Sequence, residues 1–367
     1  YDGVNWSEPK QVSNDSTMDS MPSILNLGSK VILAWADADR AFTADDAAND
    51  KLSAMGISAA VYDVQAGTMS AERELVKDAY CNLAPQLSES DGVIYCSYMK
   101  RDLKHVESED DILDMTGIYS TMAYVQYRID EQALLAEEEL VTVEHPSITD
   151  PLVFDYHMET IDVGEESYLV SAYTIDEDRN LKTGGDRGLW MKLKNLTTGR
   201  EYYPMQIEQP DSTASAPQLN KLDGRLYLTY LTGGSAFGLL DVSGLLEDIF
   251  TGPTETGENS VSADVSVYKN ADPKDQNWYK KTAEDLKMTA ENYEHTIYDK
   301  LTRGEFEVDK TGLRQREGAE SSGFDYTLTS NGKDLYLFFT DVSSKDNGTY
   351  TTGKELYGMR YHRRDEN

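Results

Sequence analysis

Five short runs of the chain are apolar at nearly every position and end on an aromatic residue: Val31–Trp35, Ile94–Tyr98, Leu169–Tyr173, Leu226–Tyr230 and Leu335–Phe339. Runs of this length without polar alternation are what strands buried on both faces show. A Gly or Asp turn precedes each, as at Leu27 to Lys30 and Ser90 to Gly92. Before the turn comes another strand pattern, beginning at Pro22, Pro85, Pro151, Pro217 and Phe324. A third strand is expected at Ile57–Asp63, Tyr124–Ile129, Gly188–Leu193, Phe237–Val242 and Leu356–Arg360. A fourth is expected at Glu74–Lys77, Leu140–Val143, Tyr202–Ile207 and Leu313–Arg316.

Five copies of a four-stranded unit predict an all-β fold, a five-bladed β-propeller spanning residues 1–367 as one domain. The fifth copy lacks a fourth strand before Asn367, and Trp6–Ser13 carries the fourth-strand pattern ahead of the first copy. The expectation is a ring closed by an N-terminal outer strand. The interval from Tyr230 to Phe339 is the longest between successive copies, which marks residues 244–310 as an insertion in blade 4. Inside it, Asp272 and Pro273 suit a helix start. Leu286, Ala290, Tyr293, Ile297 and Leu301 make one apolar face, and Gly304 suits its end.

The connections between second and third strands are long in blades 1, 2, 3 and 5: Ala36–Gly56, Met99–Thr116, Thr174–Asp186 and Thr340–Lys354. Long loops held on one face of a rigid scaffold are where function concentrates. These loops are acidic, with Asp37, Asp39, Asp45, Asp46 and Asp50 in the first alone, so calcium is a cation they could hold. None has EF-hand spacing. The chain carries 34 Lys+Arg against 66 Asp+Glu, a net charge of −32, which repels phosphate backbones and argues against nucleic-acid binding. No apolar run is long enough to span a membrane as a helix. Two cysteines, Cys81 and Cys96, are too few for a disulfide framework. The expected hairpin sets Cys96 opposite Pro85 rather than opposite Cys81. A chain that starts at Tyr1, is acidic and is rich in Tyr suggests a processed, secreted or surface-attached bacterial protein, a monomer or part of a longer one.

Residues entering the first strand of each blade should line the central channel. Asp19 and Asp150 are the carboxylates there and the candidate catalytic pair, because paired carboxylates can do acid–base work on a glycosidic bond. Asn82, Asp155 and His157 are candidate ligand contacts. No phosphate-binding Gly-rich loop, metal-type Cys/His cluster or Gly-x-Ser-x-Gly motif occurs.

Asp2 to Pro9, Val12-Ser13, Met21 to Leu25 and Val31 to Trp35 together resemble the blade pattern of sialidase-like BNR propellers of secreted bacterial proteins. Asp2-Gly3-Val4-Asn5-Trp6 is one residue short of that family's Asp-box, and no Arg stands at the five channel entries to form its arginine triad. The blade number also resembles the arabinanase-type glycosidases, which use two Asp and one Glu at successive blades. That resemblance matches Asp19 to the first and puts Asn82 and Asp150 at the others. The function expected is an extracellular recognition module for a glycan or surface protein, with a five-bladed glycoside hydrolase as the alternative.

Overall fold

The computed structural model describes residues 8–103, 119–129, 134–143, 152–176, 187–200, 202, 205–208, 213–222, 224–232, 236–251, 294–296, 306–309, 326–330, 334–345 and 349–363. The chain is mostly β and forms two compact units, Tyr1–Asp150 and Pro151–Asn367.

The first unit holds two antiparallel sheets. In one, β1 (Asp19–Asn26), β2 (Lys30–Ala38) and β3 (Met55–Asp63) run in order, and β4 (Thr68–Met69) and β5 (Arg73–Val76) share the far edge of β3. In the other, β6 (Cys81–Ser90), β7 (Val93–Asp102), β8 (Tyr119–Ile129) and β9 (Leu134–Val143) run in order. The sheets pack face to face, with β6 against β1, β2 and β3. Ile32, Ala34, Ala36, Ile57, Ala59, Leu87, Ile94, Cys96 and Tyr98 fill the space between them. Small residues on β2 and β3 admit larger ones from the facing sheet, the interdigitation that close packing requires.

The second unit holds three more four-stranded antiparallel sheets. One is β10 (Leu152–Val163), β11 (Glu166–Asp176), β12 (Arg187–Asn195) and β13 (Met205–Glu208). The next is β14 (Ser215–Leu222), β15 (Arg225–Thr232), β16 (Ala236–Asp241) and β17 (Glu294–Thr296). The last has β18 (Phe306–Asp309) paired with β21 (Thr349–Arg363), then β20 (Asp334–Lys345), then β19 (Tyr326–Ser330). Again the first strand of one sheet packs on the sheet before it, β14 on β10 to β12 and β19 on β14.

Several expectations change here. Residues 294–296 lie inside the expected helix, yet they pair with Gly238–Leu240 as the fourth strand. An open sheet edge offers a ladder of hydrogen bonds that outweighs the local apolar spacing. The remainder of that expected helix, and the fourth strand expected at Leu313–Arg316, lie outside the described residues. A helix unforeseen in the sequence, α2 (Val242–Thr251), follows α1 (Ala48–Ser53). Asp241 caps it by accepting from the Gly244 N–H at 2.9 Å, and Val242, Leu245 and Leu246 are buried in the core. The outer position of the last sheet is taken by β18, and residues 8–13, the described part of the expected closing strand Trp6–Ser13, form no strand. Phe306–Asp309 pairs with Arg360–Arg363 in register. The loop expected at Thr340–Lys354 is mostly hairpin, with pairs running out to Lys345↔Thr349.

The prolines also play another part. Strands β1, β6 and β14 begin before Pro22, Pro85 and Pro217, and each proline sits at a bulge. The preceding residues, Met21, Ala84 and Ala216, have φ of 51°, 51° and 50°. The bulge moves the register so that Cys96 faces Leu87 rather than Pro85. Both cysteines are free and buried, and burial pushes the thiols up to about 11 for Cys81 and about 12 for Cys96. A left-handed backbone is costly for a residue with a Cβ. Ala84→Gly should therefore stabilise the first unit by about 0.5–1 kcal/mol in denaturant unfolding. A loss of stability would show that the Ala84 methyl is a packing contact that outweighs the strain.

Candidate active site

At the end of the first sheet where the β2–β3 connection leaves, the register sets Asp19 directly opposite Asp37. The chain approaching β1 makes a tight turn there. Asp15 Oδ1 accepts from the Thr17 N–H at 3.0 Å, and the Thr17 hydroxyl reaches Asp37 Oδ1 at 3.3 Å. From the other side, Ser58 on β3 donates from Oγ to Asp37 Oδ2 at 3.0 Å. Glu72, just ahead of β5, brings a third carboxylate to the same place. Asp19 is held by the hydroxyl of Ser13.

Asp15, Asp37 and Glu72 each place an oxygen within 4.8 Å of the others. Carboxylates this close share a proton or a hard cation. Their proton affinities are driven apart. The Thr17 hydroxyl and N–H hold Asp15 below the usual carboxylate range. Burial raises Asp37 against the pull of its hydrogen bonds from Ser58 and Thr17, with Asp19 and Asp15 adding repulsion. Burial also raises Glu72, with Asp37, Asp15 and Asp19 adding repulsion.

The neighbouring sheet carries the same frame with one decisive change. Pro22 and Pro85 are 63 residues apart, and so are Asp15 and Asp78, Thr17 and Tyr80, Asp19 and Asn82, and Asp37 and Lys100. Asp78 Oδ1 accepts from the Tyr80 N–H at 3.0 Å, repeating the Asp15 turn. Lys100 then meets Asp78 at 2.8 Å and lies over the Tyr80 ring at 4.3 Å. Burial alone would raise Asp78, but Lys100 and Asn82 hold it below the usual range. In the second sheet the frame is thus a satisfied ion pair. In the first, a carboxylate stands at the position of that ammonium, and no Lys or Arg among the described residues forms an ion pair with the cluster.

One more group on this face finds no partner among the described residues. Trp35 lies two residues before Asp37 and directly opposite Ser58. It is 4 % exposed, and its Nε1 makes no hydrogen bond to any described residue. A buried N–H without an acceptor is costly.

The residues expected from the sequence fall in different settings. Asp19 joins the cluster, while Asp150 lies outside the described residues. Asn82 is fully buried, and its amide donates to Asp78 Oδ1 at 2.9 Å, Tyr80 O at 3.3 Å and Met55 O at 3.4 Å. Asp155 and His157 sit on β10 in the second unit. Asp155 accepts from the Tyr156 N–H at 2.9 Å. His157 Nδ1 is buried with no partner among the described residues, and burial lowers the imidazole to about 4. Sequence reasoning noted Asp37 only as one of many loop acids and missed Asp15 and Glu72. Superposing the two copies on their prolines would have exposed the exchange of Asp37 for Lys100.

No family model and no curated protein matches the sequence. Among solved structures, the chain is similar to the Trypanosoma rangeli sialidase in complex with the inhibitor DANA, with 8% identity and a TM-score of 0.45. That match covers 94% of this chain and 55% of the sialidase, so the chain spans about half its length. The catalytic domain of the Coprinopsis cinerea GH62 alpha-L-arabinofuranosidase matches with 12% identity and a TM-score of 0.42, covering 96% of this chain and 93% of that one. Zg3597, a family 117 glycoside hydrolase of the marine bacterium Zobellia galactanivorans, matches with 8% identity and a TM-score of 0.40, covering 62% and 67%. Identity and score are low throughout, and neither activity nor substrate passes to this chain by that likeness.

Proposed function

We propose that the five sheets are blades of one propeller and that the protein is a glycoside hydrolase acting outside the cell, on a bacterial surface glycan or one met there. The observation that carries this reading is the cluster of two Asp and one Glu with separated proton affinities. One carboxylate stays ionised beside two that hold protons more readily, the arrangement that gives a general acid and a base in one site. The exchange of Lys100 for Asp37 supports the reading further. A repulsive group kept in a frame that a lysine would satisfy costs stability, and function is a common reason for such a cost.

Glu72 and Asp37 are the proton-holding partners, and Asp15 is the ionised one. Their oxygens lie closer than the roughly 6.5–9.5 Å that leaves room for a water between carboxyl groups in inverting enzymes. A retaining outcome is therefore expected. Asp19, across from Asp37 and exposed, is placed to meet the substrate first.

The test is a screen of arabinans, sialosides and other glycans for turnover by the full chain, with the anomer of the first product read by NMR. Turnover with retention, lost in Glu72→Gln, supports the proposal. Binding without turnover, surviving Glu72→Gln and Asp37→Asn, would make the protein a recognition module instead.

A further inference from the structure

The second copy of the Asp15 frame shows what such a frame holds. Asp78 Oδ1 accepts from the Tyr80 N–H at 3.0 Å, and Asp78 Oδ2 meets the Lys100 ammonium at 2.8 Å. Asp15 is built alike, with Oδ1 accepting from the Thr17 N–H at 3.0 Å. Its Oδ2, the oxygen that carries the ammonium in the second copy, has no partner among the described residues. Asp37 stands at the position of Lys100, so the first copy keeps the acceptor without the lysine.

We propose that the Asp15 frame binds a primary ammonium group carried by the ligand, and that the ligand is a glycan with free amino sugars, such as de-N-acetylated glucosamine residues. The amino-sugar assignment rests on the glycoside hydrolase reading, and the ammonium site does not. Three N–H donors on one nitrogen suit three carboxylate oxygens. Oxygens about 2.8 Å from that nitrogen, along its tetrahedral N–H directions, stand about 4.6 Å apart. Asp15, Asp37 and Glu72 each offer an oxygen within 4.8 Å of the others, which admits that spacing. Asp15 and Glu72 are exposed and Asp37 is half-buried, so a group can reach them from solvent.

Charge selects the same ligand. Asp19 stands opposite Asp37, so a fourth carboxylate adjoins the three. A sialic or uronic acid would bring one more negative charge to them, and like charges at contact distance repel even in water. An N-acetylated sugar has neither the positive charge nor the three donors. Met18, between Thr17 and Asp19 in the chain, is 51 % exposed and offers apolar surface to the C–H face of a sugar, which a bare metal ion would not use. Glu72 can accept through one oxygen while its other oxygen holds a proton, so amine binding and the acid role are compatible.

The experiment is titration calorimetry of the full chain with a glucosamine tetramer, its fully N-acetylated counterpart and a lysine tetrapeptide. The glucosamine tetramer should bind about 10–100-fold more tightly than the N-acetylated one, the span for a charged hydrogen-bonded group. A chain of charge −32 attracts any polycation, so the site is read from single changes. Asp15→Asn should remove most of the preference. Asp37→Lys supplies the frame with its own ammonium and should abolish the preference in a protein that stays folded, which keeps the test open if Asp15→Asn fails to fold. Glu165→Lys, the same change of charge on an exposed turn of the second unit, should leave the preference intact. Equal binding of the two tetramers, a preference that survives Asp37→Lys, or one that is lost in Glu165→Lys would overturn the proposal. A lysine tetrapeptide that binds as tightly as the glucosamine tetramer would overturn the amino-sugar assignment. An amine preference without turnover of any glycan would keep the ammonium site and sink the hydrolase reading alone. Turnover of a neutral glycan with no amine preference would do the reverse.

Discussion

Asp37→Lys is expected to make the first unit more stable at neutral pH and to remove the chemistry. The neighbouring sheet supplies the precedent, since Lys100 holds the same place and meets Asp78 at 2.8 Å. A lysine at position 37 would meet Asp15 and relieve the repulsion from Asp19 and Glu72. The gain should be on the order of 1 kcal/mol, the upper range for a partly exposed pair. Its pH dependence follows from the directions of the shifts. Asp37 and Glu72 are raised in the folded state. Their contribution to stability is fully present below the ordinary carboxylate pKa and is lost as pH rises through the raised folded values. Asp15 is lowered, so its contribution is present above the ordinary pKa and is lost as pH falls through the lowered value. On acidification the unchanged protein neutralises Asp37 and Glu72 with protons. The advantage of Asp37→Lys should then shrink. Denaturant unfolding at neutral and acidic pH reads both effects. Under the proposed activity, turnover should fall about 10²–10⁴-fold, the usual span for loss of an acid–base group. A variant less stable than its parent at neutral pH would mean that the carboxylates are already compensated.

What the sequence disclosed follows from what each element needs. Strands enclosed between two sheets must be apolar on both faces, and Leu226–Tyr230 can be little else. Edge strands carry no such demand. Glu294–Thr296 is polar and three residues long, and only the unpaired edge of β16 makes it a strand. The prolines were visible, but a residue before proline is ordinarily extended, so a left-handed Met21 or Ala84 at a bulge left no trace in the pattern. The site divides in the same way. Asp19 is legible from its place at a strand entry. Glu72 is not, because its approach to Asp37 depends on β5 pairing back onto β3 at Ser58↔Glu74. That contact arises from tertiary pairing across a turn, which residue spacing does not encode.

Gly56→Ala is expected to cost the first unit about 2–3 kcal/mol, the range for forcing extra volume into a packed place. Gly56 is buried at the start of β3, and a Cβ there would stand 2.6 Å from the Val76 carbonyl oxygen. The obstacle is backbone and cannot swing aside as a side-chain tip would. Asp37 O lies on the opposite side at 3.8 Å, so β3 cannot escape toward β2 without crowding it. Relief must come from β5 moving outward, which breaks the Ile57↔Val76 pair and carries Glu72 with it. The same methyl should therefore draw Glu72 away from Asp37 and Asp15 although it touches neither. Hydrogen exchange on the full chain separates the effects, because a chain with two compact units need not unfold in one step. Amides of Arg73–Val76 should lose protection first, with those of the second unit unchanged. Unchanged protection along β5 would show that the strand accommodates the methyl, and that the close approach at Gly56 does not hold Glu72 in place.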